Sequence, residues 1–194
     1  MNYSIELGKP SIELASGVVE RTFKGIPAEE TRRDTADHLV GDLVHSFYSE
    51  KHLVGFATYK TAGRGRILYL AGMVIDSEHQ GNGLGTSSVR DACLLLRPTT
   101  LCAVTRNAVM ARTLAKHSKC GLSGVYPFVS FGSDDLSEMC EVSGVPIGTA
   151  PIHNERYPEL GLLGEATPHV GRQELDEYFE GLRLCDGVLV GVKV

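Results

Sequence analysis

The heptapeptide Gln80-Gly81-Asn82-Gly83-Leu84-Gly85-Thr86 combines the residue types that an anion site needs. An apolar run, Ile67 to Ile75, precedes it, and a helical pattern from Thr86 to Leu96 follows. A strand that enters a glycine turn and then a helix presents backbone N–H groups and partial positive charge at the helix start. Glycines let that backbone approach a phosphate without a Cβ in the way. A Walker loop would need GxxxxGK[ST], and no lysine stands at the required place. A dinucleotide fingerprint would need GxGxxG, but Thr86 stands where the third glycine belongs. The pattern that remains is [Gln/Arg]-x-x-Gly-x-[Gly/Ala], carried by Gln80, Gly83 and Gly85.

Other reactive side chains offer less. The five cysteines, Cys93, Cys102, Cys120, Cys140 and Cys185, are widely spaced and include no CxxC pair. They read as reduced thiols, several of them buried, with no metal site and no disulfide framework. The net charge of -5 and the pI near 5.8 argue against nucleic acid as a partner. No apolar run reaches membrane-spanning length. The first residues lack the basic and apolar regions of a signal peptide, so a cytoplasmic protein is expected.

The elements that must position the turn follow from periodicity. The length of 194 residues with 42% hydrophobic content suits one domain, residues 1–194. Ser4-Ile5-Glu6-Leu7 and Ser11-Ile12-Glu13-Leu14 repeat a tetrapeptide; one strand is expected there, with a turn at Ser16-Gly17. Pro27 to about Val40 is polar and helical, with acids near its start. Its Glu29, Glu30, Asp34 and Asp37, with Asp42, read first as a solvated face and second as an acidic rim for a cationic amine. Val44–Tyr48, Leu53–Tyr59 and Ile67–Ile75 form an antiparallel meander. A helix over Thr86–Leu96, a strand over Thr100–Thr105 and a helix over Asn107–Cys120 follow. Gly124–Phe131 reads as a flawed strand and 132–170 as irregular. Gln173–Leu182 reads as an amphipathic helix, and residues 187–194 as a closing strand.

With the strand before it and the helix after it, the Gln80–Thr86 pattern resembles the acetyl-CoA motif of the GNAT N-acetyltransferases. The resemblance covers roughly residues 40–131. It implies an α/β (α+β) GNAT fold: a mixed central sheet with an antiparallel N-terminal meander, strands splayed at a CoA groove, and helices on both faces. The segment 132–180 would then be an insertion, expected to shape the acceptor side or a homodimer interface. The cofactor implied is acetyl-CoA as acyl donor, without a metal. The pantetheine arm would pair with the backbone of Met73, Val74 and Ile75. The pyrophosphate would meet the N–H groups of Gly81, Asn82, Gly83, Leu84, Gly85 and Thr86. Asn107, opening the next helix, would bond the pantetheine arm. The function implied is direct transfer of an acetyl group to an amine acceptor, a small molecule or a protein amine, through a tetrahedral intermediate.

The catalytic groups of the family are less plainly matched. Many members carry a tyrosine late in the second helix, four residues before a glycine, which protonates the departing thiolate. His117 stands there, and an imidazole can donate a proton near neutral pH. Tyr126, just past the helix, is the second candidate. A glutamate that serves some members as base is replaced in position by Tyr69, and no carboxylate occurs from Ile67 to Ile75. Two rival readings remain: a CoA-binding GNAT-like module without chemistry, with a regulatory or interaction role, and a regulatory domain that binds ATP or NAD.

Overall fold

The computed structural model describes residues 2–23, 25–105, 107–127, 129–148, 150–153, 179 and 187–194. The expected helix Gln173–Leu182 and most of the segment 154–180 lie outside these residues. The chain divides into two compact units, one of residues 1–60 and 70–92, the other of 61–69 and 93–194.

The first unit opens with β1 (Tyr3–Leu7) and α1 (Ile12–Thr22). The helix corrects the expectation of a turn at Ser16-Gly17. Ser11 caps it by accepting the Leu14 N–H at 3.3 Å, and Glu13 lies in its first turn. Ala15, Val18 and Val19 then fall on one buried face. The repeated Ser-Ile-Glu-Leu is thus a strand once and a helix start once. Its first copy is held by antiparallel pairing to β2 (Leu43–Ser49), from Tyr3 opposite Ser49 to Leu7 opposite His45. The second copy has a capping serine and a downstream apolar stripe instead.

The polar segment forms one helix, α2 (Ala28–His38), with only Thr31 and Thr35 buried. β2 pairs antiparallel with β3 (His52–Ala62). β4 (Ile67–Ile75) and α3 (Leu84–Leu96) follow. Strand order in this unit is β1-β2-β3-β4. Ala15, Val19, Leu39, Val44 and Phe56 form a core beneath α1 and α2, with Val74 packed against it.

The second unit contains the start of β4, then β5 (Thr100–Thr105), α4 (Ala108–Ala115), α5 (Ser133–Ser143), β6 (Ile152–His153) and β7 (Gly187–Lys193). Its strand order is β4-β5-β7-β6. β7 is the expected closing strand and pairs antiparallel with β5, from Thr100 opposite Lys193 to Thr105 opposite Val188. Leu101, Cys102, Ala111, Leu114, Met139 and Leu189 are buried here.

Three expectations are corrected in this unit. α4 ends at Ala115 rather than Cys120, and single turns continue from it, with Ser118 N–H donating to Ala115 O at 3.1 Å. Among its described residues, the stretch 124–131 contributes only an isolated bridge, Tyr126 to Gly191, and Pro127 has no N–H to extend a ladder. The region read as irregular contains α5, with Asp134 and Asp135 in its first turn and left-handed Gly144 (φ 74°) at its end.

An ionic cluster fastens α5. Arg66 bonds Glu138 at 2.7 Å and lies 3.5 Å from Asp135. Lys193 bonds Asp135 and the Thr100 hydroxyl, and stands 4.9 Å over the Phe131 ring. Gly63 (φ 58°) lies against this cluster, where a Cβ would meet the Glu138 carboxylate. No helix among the described residues is long and apolar enough to cross a membrane.

Candidate functional site

The turn after β4 has the backbone that its glycines suggest. Gly81 and Gly83 have φ of 77° and 79°, the left-handed region that favours glycine. A Cβ on either would meet nothing within 4 Å, so the requirement there is conformational. Gly85 differs: a Cβ there would stand 2.9 Å from Met73 Sδ, so its bareness lets α3 lie close on β4. Gln80 to Gly83 are exposed, and buried Leu84 anchors the helix start.

Side chains shape the turn. Gln80 Nε2 donates to the Ile75 carbonyl at 2.8 Å, bridging the end of β4 to the motif. Asn82 Nδ2 donates to the carbonyls of His79 and Gln80 at 3.1 and 3.2 Å. The first intrahelical bond is Ser87 N–H to Gly83 O at 2.9 Å. The N–H groups of Leu84 and Gly85 therefore precede the helical ladder and point out of its positive end. An exposed left-handed glycine turn in front of a helix of this length is suited to a diphosphate.

The sequence reading missed what holds this turn from below. Asp76, buried at the end of β4, accepts from Arg21 Nε of α1 at 2.6 Å, and its N–H bonds the Val54 carbonyl. Tyr3 OH lies 3.2 Å from His79 Nδ1, with the two rings edge to face. Deeper in the unit, Ser88 of α3 bonds His45 of β2 at 2.8 Å and Tyr59 of β3 at 2.7 Å. All three are buried. Burial holds the His45 imidazole below its ordinary range, although Asp91 and Ser88 pull the other way. Single-sequence signals for these links are weak, because each joins distant segments.

Residues 16–111 match the model of the Acetyltransferase (GNAT) family. The chain belongs to that family. No match to a curated protein is found. Among solved structures, the chain resembles the ribosomal-protein-S18-alanine N-acetyltransferase from Escherichia coli, with 13% identity and a TM-score of 0.57 over 100% of this chain and 94% of that one. It also resembles the IAA acetyltransferase from Bacillus cereus, with 13% identity and a TM-score of 0.53 over 98% of this chain and 100% of that one. At such identity the likeness shows the fold, which is the GNAT fold.

The GNAT candidates divide between the two units. Met73, Val74, Ile75 and Gln80 to Thr86 all lie in the first. From Ala71 to Ile75 β4 is only half-buried, in contrast to its buried start. Tyr69, Asn107, His117 and Tyr126 lie in the second. Asn107 caps α4: its Oδ1 accepts the Val109 N–H at 2.9 Å, which leaves the NH2 group outside that cap. His117 is half-buried in the turns after α4. Tyr126 is buried, and burial, then Cys140, raises its phenol above the ordinary value, so it keeps its proton at neutral pH. Tyr69 is buried within β4. Arg90 pairs with its neighbour Asp91.

Cys93, Cys102 and Cys140 are disfavoured as nucleophiles. Burial pushes Cys93 up to about 11 and raises Cys102 and Cys140 as well, so these thiols stay protonated near neutral pH. Among the described residues, no group of three or more His, Cys, Asp or Glu stands together as a metal site.

Proposed function

We propose that the protein transfers an acetyl group from acetyl-CoA to an amine acceptor in the cytoplasm, with the chain 1–194 working as one domain. The observation that carries this reading is the exposed turn Gln80–Thr86, whose left-handed Gly81 and Gly83 lead into the open N-terminus of α3. On this reading the diphosphate of CoA meets the N–H groups of Gly81 to Thr86. The pantetheine arm runs along the backbone of Met73, Val74 and Ile75, and Asn107 bonds it from the start of α4. Attack by a neutral amine on the thioester carbonyl forms a tetrahedral oxyanion, which a β4 N–H near Val74 stabilises.

Two groups are proposed as donors to the departing thiolate. His117 is the first, and Tyr126, a phenol that holds its proton, is the second. Tyr69 occupies the place of the family's base but is buried, so any part it takes is in positioning. On the same reading the segment 132–180 serves the acceptor side or a homodimer interface.

The test is thiol release from acetyl-CoA in the presence of a panel of amines: polyamines, amino sugars, lysine peptides and peptides with free N-termini. Acceptor-dependent release is expected, and Gly83→Ala should lower it through weaker acetyl-CoA binding. Binding of acetyl-CoA with no release on any amine would instead support the non-catalytic module.

A further inference from the structure

Asp76 is the first residue beyond β4, four before the glycine turn opens at Gln80. The motif gives it no part, yet it is engaged through backbone and side chain alike. Its N–H donates to the Val54 carbonyl of β3 at 2.9 Å. Its carbonyl accepts the His79 N–H at 2.8 Å and so closes a single turn of 3₁₀ helix, Ser77–His79, from which the motif departs. Its Oδ2 accepts from Arg21 Nε at 2.6 Å. Arg21 reaches on with Nη2 to the Leu53 carbonyl of β3 at 3.4 Å. One guanidinium of α1 thus holds the exit of β4 against the neighbouring strand, with two donors of a planar fork aimed at two acceptors.

The tie continues into the turn. Gln80 N–H donates to the Ser77 carbonyl at 3.4 Å, and Asn82 Nδ2 donates to the His79 carbonyl at 3.1 Å. Gly81 and Gly83 themselves rest on nothing: a Cβ on either would meet no atom within 4 Å. An exposed turn of this kind takes its place from its two ends. Buried Leu84 fixes the downstream end, and Asp76 fixes the upstream one. Charge supplies a second reason for the pair. The Asp76 side chain is 11% exposed and that of Arg21 53%. A buried carboxylate left without its partner just ahead of an anion-binding turn would act against a diphosphate.

We propose that Arg21 and Asp76 are positioning residues for the diphosphate of CoA, setting the upstream end of the Gln80–Thr86 turn and keeping the carboxylate neutralised beside it. The proposal rests on the reading that this turn binds that diphosphate. Both residues act through the backbone of the turn.

The experiment is calorimetry of CoA with the full chain and with Arg21→Ala, Asp76→Ala and the double variant. Arg21→Ala should raise the Kd for CoA roughly tenfold. Adding Asp76→Ala to it should bring no further loss, because the partner is already gone. Losses that simply add, or an unchanged Kd in Arg21→Ala, overturn the proposal. Arg32→Ala breaks the other ion pair made by α1, Arg32 to Glu13 at 2.8 Å, and should leave the Kd as it is. A loss equal to that of Arg21→Ala would show a general loosening of α1 and would overturn the positioning role. Amide spectra of the chain labelled with ¹⁵N-glycine read the turn directly. Without ligand, Arg21→Ala should shift the Gly81 and Gly83 signals; signals that stay in place count against the proposal. A wild-type chain that does not bind CoA removes the underlying reading, and the proposal with it.

Discussion

Ser88 is a polar residue in the buried stripe of α3, and it shows what periodicity cannot report. Helical spacing alone would put Val89, Cys93 and Leu96 on the inner face, whereas Leu84, Ser88, Val89 and Ala92 are the buried set. Ser88 is accommodated because His45 and Tyr59 bond its hydroxyl. No spacing rule links positions 45, 59 and 88, so the network was illegible in one dimension. Ser88→Ala should cost about 1–3 kcal/mol, measured by urea unfolding, since it removes the buried hydroxyl that His45 and Tyr59 share. His45 makes stability depend on pH. Its folded imidazole titrates below the ordinary 6.5, so the unfolded chain binds a proton that the folded chain refuses. This contribution is fully present above pH 6.5 and is lost as the pH falls from there toward the folded value. Wild type should therefore lose more stability between pH 7.5 and 5.5 than His45→Gln, read as the difference in urea midpoints.

At the scale of elements, the sequence was most legible where pattern and punctuation agree. β4 and β5 have the expected bounds, and Pro98 and the glycine turn delimit α3 closely. α1 was missed because Gly17 reads as a breaker, although tertiary burial of Ala15, Val18 and Val19 outweighs a helix cost of about 1 kcal/mol. α5 was missed because its surroundings are rich in Gly, Pro and Ser, while its capping signals, Asp134, Asp135 and Gly144, were present. The glycine turn itself makes a sharp prediction. Gly83→Ala adds a Cβ to a left-handed residue, costing about 1–2 kcal/mol, and should weaken CoA binding by roughly tenfold in calorimetry. Arg21→Ala removes the clasp on Asp76. Arg21 is half exposed, so its effect on stability should be at most about 1 kcal/mol. The larger effect should be a weaker CoA affinity, because the base of the turn is released.

For the molecule as a whole, the family was legible from a short motif because that motif is a backbone conformation set by its glycines. Positive φ at Gly81 and Gly83, the bare Gly85 against Met73 and an open helix end are fixed by glycine spacing. Candidate proton donors such as His117 and Tyr126 are not legible in the same way, since any titratable residue at the right distance can move a proton. The match to the Acetyltransferase (GNAT) family over residues 16–111 spans α1 through the start of α4, including the turn and Asn107. The most direct test of the account is a calorimetric and thermal titration of the whole chain with CoA, ATP and NAD. The account predicts that CoA binds and raises the unfolding temperature, with a stabilisation of about 2.7 kcal/mol at a hundredfold excess over Kd, while ATP and NAD do far less. Stabilisation by ATP or NAD with none from CoA would contradict it.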